Sequence, residues 1–390
     1  VSKGSSRTVA FYLPQFHPIP QNDEWWGDGF TEWTNVTRAT PLFDGHDQPR
    51  VPAELGYYDL RDTEVLHRQA ELARRHDIDA FCMYFYWFDG KRLLERPLDA
   101  YLADGPDFPF CLSWANEHWT RRWDGKDREI LMGQSYSPGS AEEVFRAMRP
   151  YLTDRRYLRV EGLPVLLVHR ADHLPDAKAF ASAWRRLAVE WGLGGLYLVA
   201  AETVPGLDSR SLGFDAVAEF PPVGANTLRA SRLVPPRRLD RGFRGRLMDY
   251  ARLAERFSTR ENAPFPRHRG VMPGWDNTAR RRHAATIYLR SSPDQYSRWL
   301  RRARACEDAA RGAAGLVFVN AWNEWAEGAY LEPDRRHGDA YLRATRRTPT
   351  EGLPGPAPCP PGVPGAGFLR SLAHGAAASL LAAVRRMRLR

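Results

Sequence analysis

Apolar runs of strand length recur along this chain, beginning near Val9–Leu13, Ala80–Tyr86, Phe108–Trp114, Pro164–Val168, Leu196–Ala200, Ala216–Phe220, Gly270–Pro273 and Gly315–Asn320. Several are separated by stretches of helical period. Runs that stay apolar throughout, such as Leu163–Val168 and Leu316–Val319, need cover on both faces, which a coat of helices over a parallel sheet supplies. Eight such strands alternating with helices predict an α/β chain closed into a (β/α)8, or TIM, barrel.

The helices show in their spacing. Phe180, Trp184, Leu187, Ala188 and Trp191 form one apolar stripe, with Gly192 placed to end it. Ser140 followed by Glu143 suggests a capping box opening a helix that carries Val144, Phe145, Met148, Tyr151 and Leu152 on one side. A third helix runs from about Pro293 through Tyr296, Trp299 and Leu300. Two connections are too long for plain barrel turns: Pro14 to Asp62 after strand one, and an arginine-rich stretch after strand six. Both follow strand ends that face a substrate in this architecture. Residues 1–347 therefore form the expected barrel domain, 348–367 a Pro/Gly-rich linker and 368–390 a basic amphipathic tail.

Charge narrows the partners. The net charge of +9 is concentrated between Gly224 and Arg269, where Arg237, Arg238, Arg241, Arg244 and Arg246 crowd together. Such a patch attracts anions, yet no helix-turn-helix or zinc finger accompanies it, so nucleic acid is not expected. An oligo- or polysaccharide is, anionic or lipid-linked, with the cluster as a cover over the cleft and the tail making weak contact with an anionic membrane. Cys82 and Cys111 sit in apolar runs as buried thiols, and the four cysteines imply no disulfide framework, metal site or cofactor. No run of about 18 apolar residues is present, nor a charged-then-apolar leader. The expected location is cytoplasmic and membrane-peripheral; a removed leader before Val1 stays open.

Chemistry gathers at the strand ends. Trp25, Trp26, Trp33, Trp87, Trp114, Trp119, Trp123, Trp275, Trp322 and Trp325 all fall at or beyond them, and an indole pairs a flat apolar face with one donor, as a sugar ring requires. Asn116, Glu117 and His118, then His169 and Arg170, Glu202, Glu219, Asp276 and Asn277 occupy the same places. The sharpest segment is Asn320-Ala321-Trp322-Asn323-Glu324-Trp325-Ala326-Glu327-Gly328. Fully extended, Glu324 and Glu327 would lie about 10 Å apart on opposite faces; a turn at Gly328 brings them to roughly 5–6 Å. That is the reach of a carboxylate pair acting on one glycosidic bond.

Four segments also carry a resemblance: Phe11-Tyr12-Leu13-Pro14-Gln15-Phe16-His17; Trp25-Trp26-Gly27 with Phe30-Thr31-Glu32-Trp33; Trp114-Ala115-Asn116-Glu117 with Trp119-Thr120-Arg121-Arg122-Trp123; and Asn323-Glu324-Trp325-Ala326-Glu327-Gly328. Together, over about Val9 to Leu342, the chain resembles the WbsX-like polysaccharide-biosynthesis proteins related to glycoside hydrolase family 99. The resemblance implies a barrel, cleavage at a mannosidic or similar bond with retention, and no metal. It implies that Glu324 deprotonates a substrate 2-hydroxyl and that Glu327 acts as acid and then base. Residues expected to bind substrate are Tyr12, Gln15, His17, Trp26, Glu32, Trp33, Tyr86, Trp87, Trp114, Asn116, Glu117, Trp119, Arg121, Trp123, His169, Glu202, Trp275, Asn320, Asn323 and Trp325. Two other readings stand beside this one. A glycosyltransferase would use an activated sugar donor, although no Asp-x-Asp or Gly-rich phosphate loop is seen; a non-catalytic glycan-binding barrel would need only the tryptophans.

Overall fold

The structure, a computed structural model, describes residues 4–121, 126–225 and 236–347. The expected linker and tail, 348–390, lie outside the described residues. Eight strands form the barrel: β1 (Arg7–Tyr12), β2 (Ala80–Phe88), β3 (Phe110–Trp114), β4 (Leu163–Val168), β5 (Tyr197–Ala201), β6 (Ala216–Ala218), β7 (Arg267–Val271) and β8 (Leu316–Val319). Each pairs in parallel with its chain neighbours. The register Arg7↔Leu316 to Ala10↔Val319 closes β8 onto β1. All eight overlap the apolar runs, although β7 begins three residues before Gly270, in the polar stretch Arg267-His268-Arg269.

The barrel is a packed core. Phe11 of β1 touches Tyr84 of β2, Phe318 of β8 and, across the interior, Phe220 beyond β6, at ring separations of 5.9, 5.6 and 4.9 Å. Outside, helices cover the strands. Those needed below are α1 (Pro20–Trp26), α2 (Glu32–Arg38), α3 (Thr63–Arg75), α4 (Glu95–Asp104), α5 (Ser140–Leu152), α6 (Ala177–Glu190), α7 (Ser209–Leu212), α8 (Tyr250–Ser258), α9 (Thr278–Arg281) and α10 (Pro293–Arg311). The stripe foreseen on α6 is real: Trp184 is fully buried 5.8 Å from Trp114 of β3. Asp62, Asp176, Asp249 and Ser292 each accept a backbone N–H in the first turn of α3, α6, α8 and α10, fixing where those helices start.

Two details differ from expectation. The capping box at Ser140 does not form, because Gly139, at φ +92°, is the N-cap and Ser140 is already helical, its hydroxyl meeting that of Ser137. The arginine-rich stretch is not simply a loop. Its described part contains a strand, Arg246–Asp249, paired with Thr286–Leu289, and α8, which buries Tyr250 and Leu253. The apolar half of α8 was masked by the arginines preceding it. The connection after β1 lies at the substrate-facing strand ends, as expected, with Asn22, Trp25 and Trp26 of α1 at the barrel mouth.

Leu166 is fully buried in β4, so Leu166→Ala should lower unfolding free energy by about 3 kcal/mol in chemical denaturation.

Candidate active site

The loop after β8 builds the centre of the site. Asn323–Glu324 pairs antiparallel with Ala329–Tyr330, and Trp325–Glu327 forms a single 3-10 turn between them. Gly328 closes the turn at φ +59°; a Cβ there would stand 3.0 Å from the backbone N and O of Asp276, so both conformation and space require glycine. Asn323 ties this loop to β1, accepting from the Leu13 N–H at 2.7 Å and donating to the Leu13 carbonyl at 3.0 Å. Trp325 stacks on Tyr330 at 3.8 Å and donates to the buried Glu332, which also accepts from Tyr58 and Gln69. Burial, against the pull of those three bonds, pushes the Glu332 carboxyl up to about 7.

Arg280 faces the pair. It sits on α9, whose first residue is held by Asp276: the carboxylate accepts from the Thr278 backbone N–H and hydroxyl, and its other oxygen meets His46 and Gln48. The Asp276 backbone N–H donates to the Glu327 carbonyl at 2.6 Å, locking α9 to the turn. From there the Arg280 guanidinium reaches Glu327 at 2.7 Å, Glu324 at 3.0 Å and Glu32 of α2 at 3.0 Å. Three carboxylates therefore share one cation. Burial, reinforced by Glu327 and Glu32 and opposed by Arg280, raises the Glu324 carboxyl to about 8, and burial raises Glu32 as well. Burial holds Tyr84 and Tyr86 of β2 neutral, leaving two phenol donors beside the pair.

These groups line a cleft of about 660 Å³ at the carboxyl ends of the strands. Of the residues expected to bind substrate, Gln15, Trp26, Tyr86, Glu117, Trp119, His169 and Trp275 line it with Glu324 and Glu327. Arg280, Arg281, Asn22, Trp25, Tyr84, Arg170, Asn277 and Phe220 line it too. Arg280 and Asn22 were not anticipated as site residues. Arg280 sits in the run Arg280-Arg281-Arg282, which resembles a solvated charge cluster; the signal was the need of buried carboxylates for a cation. Asn22 is fully buried, and neither amide atom has a hydrogen-bond partner, which leaves an unsatisfied polar group on the cleft wall.

Other expected contacts serve the scaffold instead. Asn116 clamps the Arg170 backbone through both amide atoms, and Asn320 holds the Pro221 carbonyl. Tyr12 donates to Gln69, Trp33 donates to the Tyr58 carbonyl, and Trp87 and Trp114 are core. His17 is fully buried outside the cleft lining, and Glu202 pairs with Arg260 in a separate small cavity. Glu32, Asn323 and Trp325 touch the site only through Arg280 or the loop that holds Glu324. In each case a polar or aromatic group near a strand end has been used to satisfy buried backbone or to pack, which sequence position does not distinguish. Trp123 and the side chain of Arg121 lie outside the described residues. Arg237, Arg238, Arg241 and Arg244 are exposed and absent from the cleft lining, so the expected arginine cover is not provided by them. Asp47, Asp334 and His337 approach within 4.8 Å of one another outside the cleft, beside Arg50 and Arg336.

A closed barrel with an aromatic-lined cleft at its strand ends, where glutamates meet arginines, defines the class. The chain belongs to the WbsX glycosyltransferase family, whose model, described as "Glycosyltransferase WbsX", matches residues 8–345. It is similar to proteins named "Uncharacterized protein WxcX" from two strains of Xanthomonas campestris pv. campestris, at 46% identity over 347 residues. That match covers 88% of this chain and 49% of each relative, so the chain spans about half their length. Among solved structures it is similar to a "Glycoside hydrolase-like protein" at TM-score 0.55 and 14% identity, covering 88% of this chain and 94% of that one. It is similar as well to the GH99 endo-alpha-mannosidase of Bacteroides thetaiotaomicron, at TM-score 0.52 and 14% identity, covering 87% and 95%. At that identity the likeness shows the fold.

Glu324 keeps its proton up to about pH 8 when folded and loses it near the ordinary 4.5 when unfolded. The folded chain thus binds more protons between those values; the stabilisation is full below the lower and lost as pH rises through the upper. Glu324→Gln lacks this loss. Its melting temperature relative to wild type should therefore rise between about pH 5 and about pH 9 in calorimetry, and a constant difference would show an ordinary carboxyl.

Proposed function

We propose that this cleft cleaves or transfers a glycosidic bond of a bacterial surface polysaccharide, with retention, through Glu324 and Glu327. The observation that carries this reading is the pair itself: two glutamates on one turn, held by the same guanidinium at the floor of a tryptophan-lined cleft. A carboxyl buried beside other carboxylates has a high proton affinity, which makes its ionised form a strong base for a sugar hydroxyl. In the proposed sequence, Glu324 takes the proton of the 2-hydroxyl and O2 attacks C1. The glycosidic bond breaks as Glu327 gives its proton to the departing oxygen. A 1,2-anhydro sugar results. Glu327, now ionised, takes a proton from water or a second sugar hydroxyl, which attacks C1; the C1–O2 bond opens and Glu324 returns its proton to O2. Two inversions at C1 give net retention.

Two other assignments have observations behind them. The raised Glu324 carboxyl suits a proton donor, with Glu327 then acting as the base. The family description favours transfer from an activated donor over cleavage by water.

Three measurements separate these readings. Glu327→Gln should slow cleavage of an α-linked oligosaccharide on the order of 10³-fold but largely spare the first step with an activated aryl glycoside, which needs little protonation. Glu324→Gln should slow both. If Glu324 is the base, kcat/KM rises with pH through about 8, since only the ionised form accepts a proton; if it is the donor, kcat/KM falls there. Products with nucleotide sugars but none with oligosaccharides, read by mass spectrometry, would favour the transferase. Near-wild-type turnover in either variant would remove the pair from the chemistry.

A further inference from the structure

A second groove, of about 840 Å³, adjoins the cleft and shares Trp26, Arg280 and Arg281 with it. Its walls are Arg38 of α2, Arg281 and Arg282, with Trp26 and Phe30 beside them, and no carboxylate is found among its described lining residues. Successive residues of an α-helix point about 100° apart, so three consecutive arginines do not ordinarily share a face. Here α9 stops at Arg281. Arg282 takes φ +44° and ψ −120°, a left-handed backbone rare outside glycine, and Arg280, Arg281 and Arg282 all line the same groove. A strained arginine kept on a cavity wall calls for a purpose. Asn35 adds a second observation: its buried amide nitrogen has no hydrogen-bond partner, and it lines the groove.

Arg280 is committed to the three carboxylates, and His283 faces Asp240 at 3.4 Å. Arg38 and Arg282 add positive charge to the groove beyond that committed cation. Guanidinium groups bind phosphate oxygens in a bidentate fork, and several of them around one volume suit a group bearing more than one negative charge. Resting on the proposed glycosidic chemistry next door, we infer that this groove seats a diphosphate attached to the glycan on which the cleft acts. Trp26, common to both spaces, would cover the junction between sugar and phosphate.

Isothermal titration with inorganic pyrophosphate tests this without requiring turnover. Wild type should bind saturably and more weakly as salt rises. Arg38→Gln/Arg282→Gln should bind about tenfold more weakly with an unchanged melting temperature. Arg38→Glu is the second variant should the first be unstable. Glu324→Gln should bind as wild type does, which keeps this proposal separate from the catalytic one: near-wild-type turnover by this variant with intact pyrophosphate binding sinks only the earlier reading. Geranyl diphosphate binding more tightly than UDP assigns a lipid-linked source, and the reverse a nucleotide-linked one. No saturable binding, equal affinity in the arginine variants, or tighter binding of glucuronate than of pyrophosphate would overturn the proposal.

Discussion

Three carboxylates, those of Glu32 and Glu324 buried and that of Glu327 half-buried, converging on the Arg280 guanidinium are the constraint around which the mouth of this barrel is organised. Each carboxylate would be costly to bury alone, and one cation cannot neutralise three. Burial raises both Glu32 and Glu324, and carries the Glu324 carboxyl up to about 8. The arrangement is thus a proton store as well as an ion cluster. It also joins parts of the chain distant in sequence: α2 through Glu32, the loop after β7 through Arg280, and the loop after β8 through Glu324 and Glu327.

Supports beneath the cluster follow the same logic. Asp276 holds Thr278 at the start of α9 and bonds the Glu327 backbone, so the position of Arg280 and the direction of the turn are set together. Gly328 gives the turn its left-handed corner and leaves room for Asp276. Below, Glu332 receives Tyr58, Gln69 and Trp325, which keeps the tryptophan between the two glutamates from rotating into the cleft. Side chains held in place by such supports stabilise developing charge without first having to reorganise.

What could be read in advance follows from how local the physics is. The strands announce themselves because a run such as Leu163–Val168 is buried on both faces wherever the chain goes. Glu324 and Glu327 were legible because their spacing and the following glycine are local too. Arg280 was not, since its role exists only when α2 and two loops meet. Asn116, Asn320 and Asn323 look like ligand contacts in sequence and prove to be backbone clamps, a distinction made by which carbonyls lie nearby. Trp25, Trp26, Trp119 and Trp275 face the cleft while Trp87 and Trp114 fill the core, although all sit near strand ends. A strand's alternation turns one neighbour inward and the next outward, and half a turn of loop undoes the count.

The most direct test of the shared-proton cluster is a carbon-13 NMR titration of protein labelled at the glutamate side-chain carboxyl, with Glu324→Gln used to assign the resonance. The account requires the signal missing from the variant to titrate near pH 8, well above the 4.5 of an ordinary glutamate. A Glu324 signal already ionised by about pH 5 would mean that Arg280 fully compensates burial, and would contradict the account at its centre.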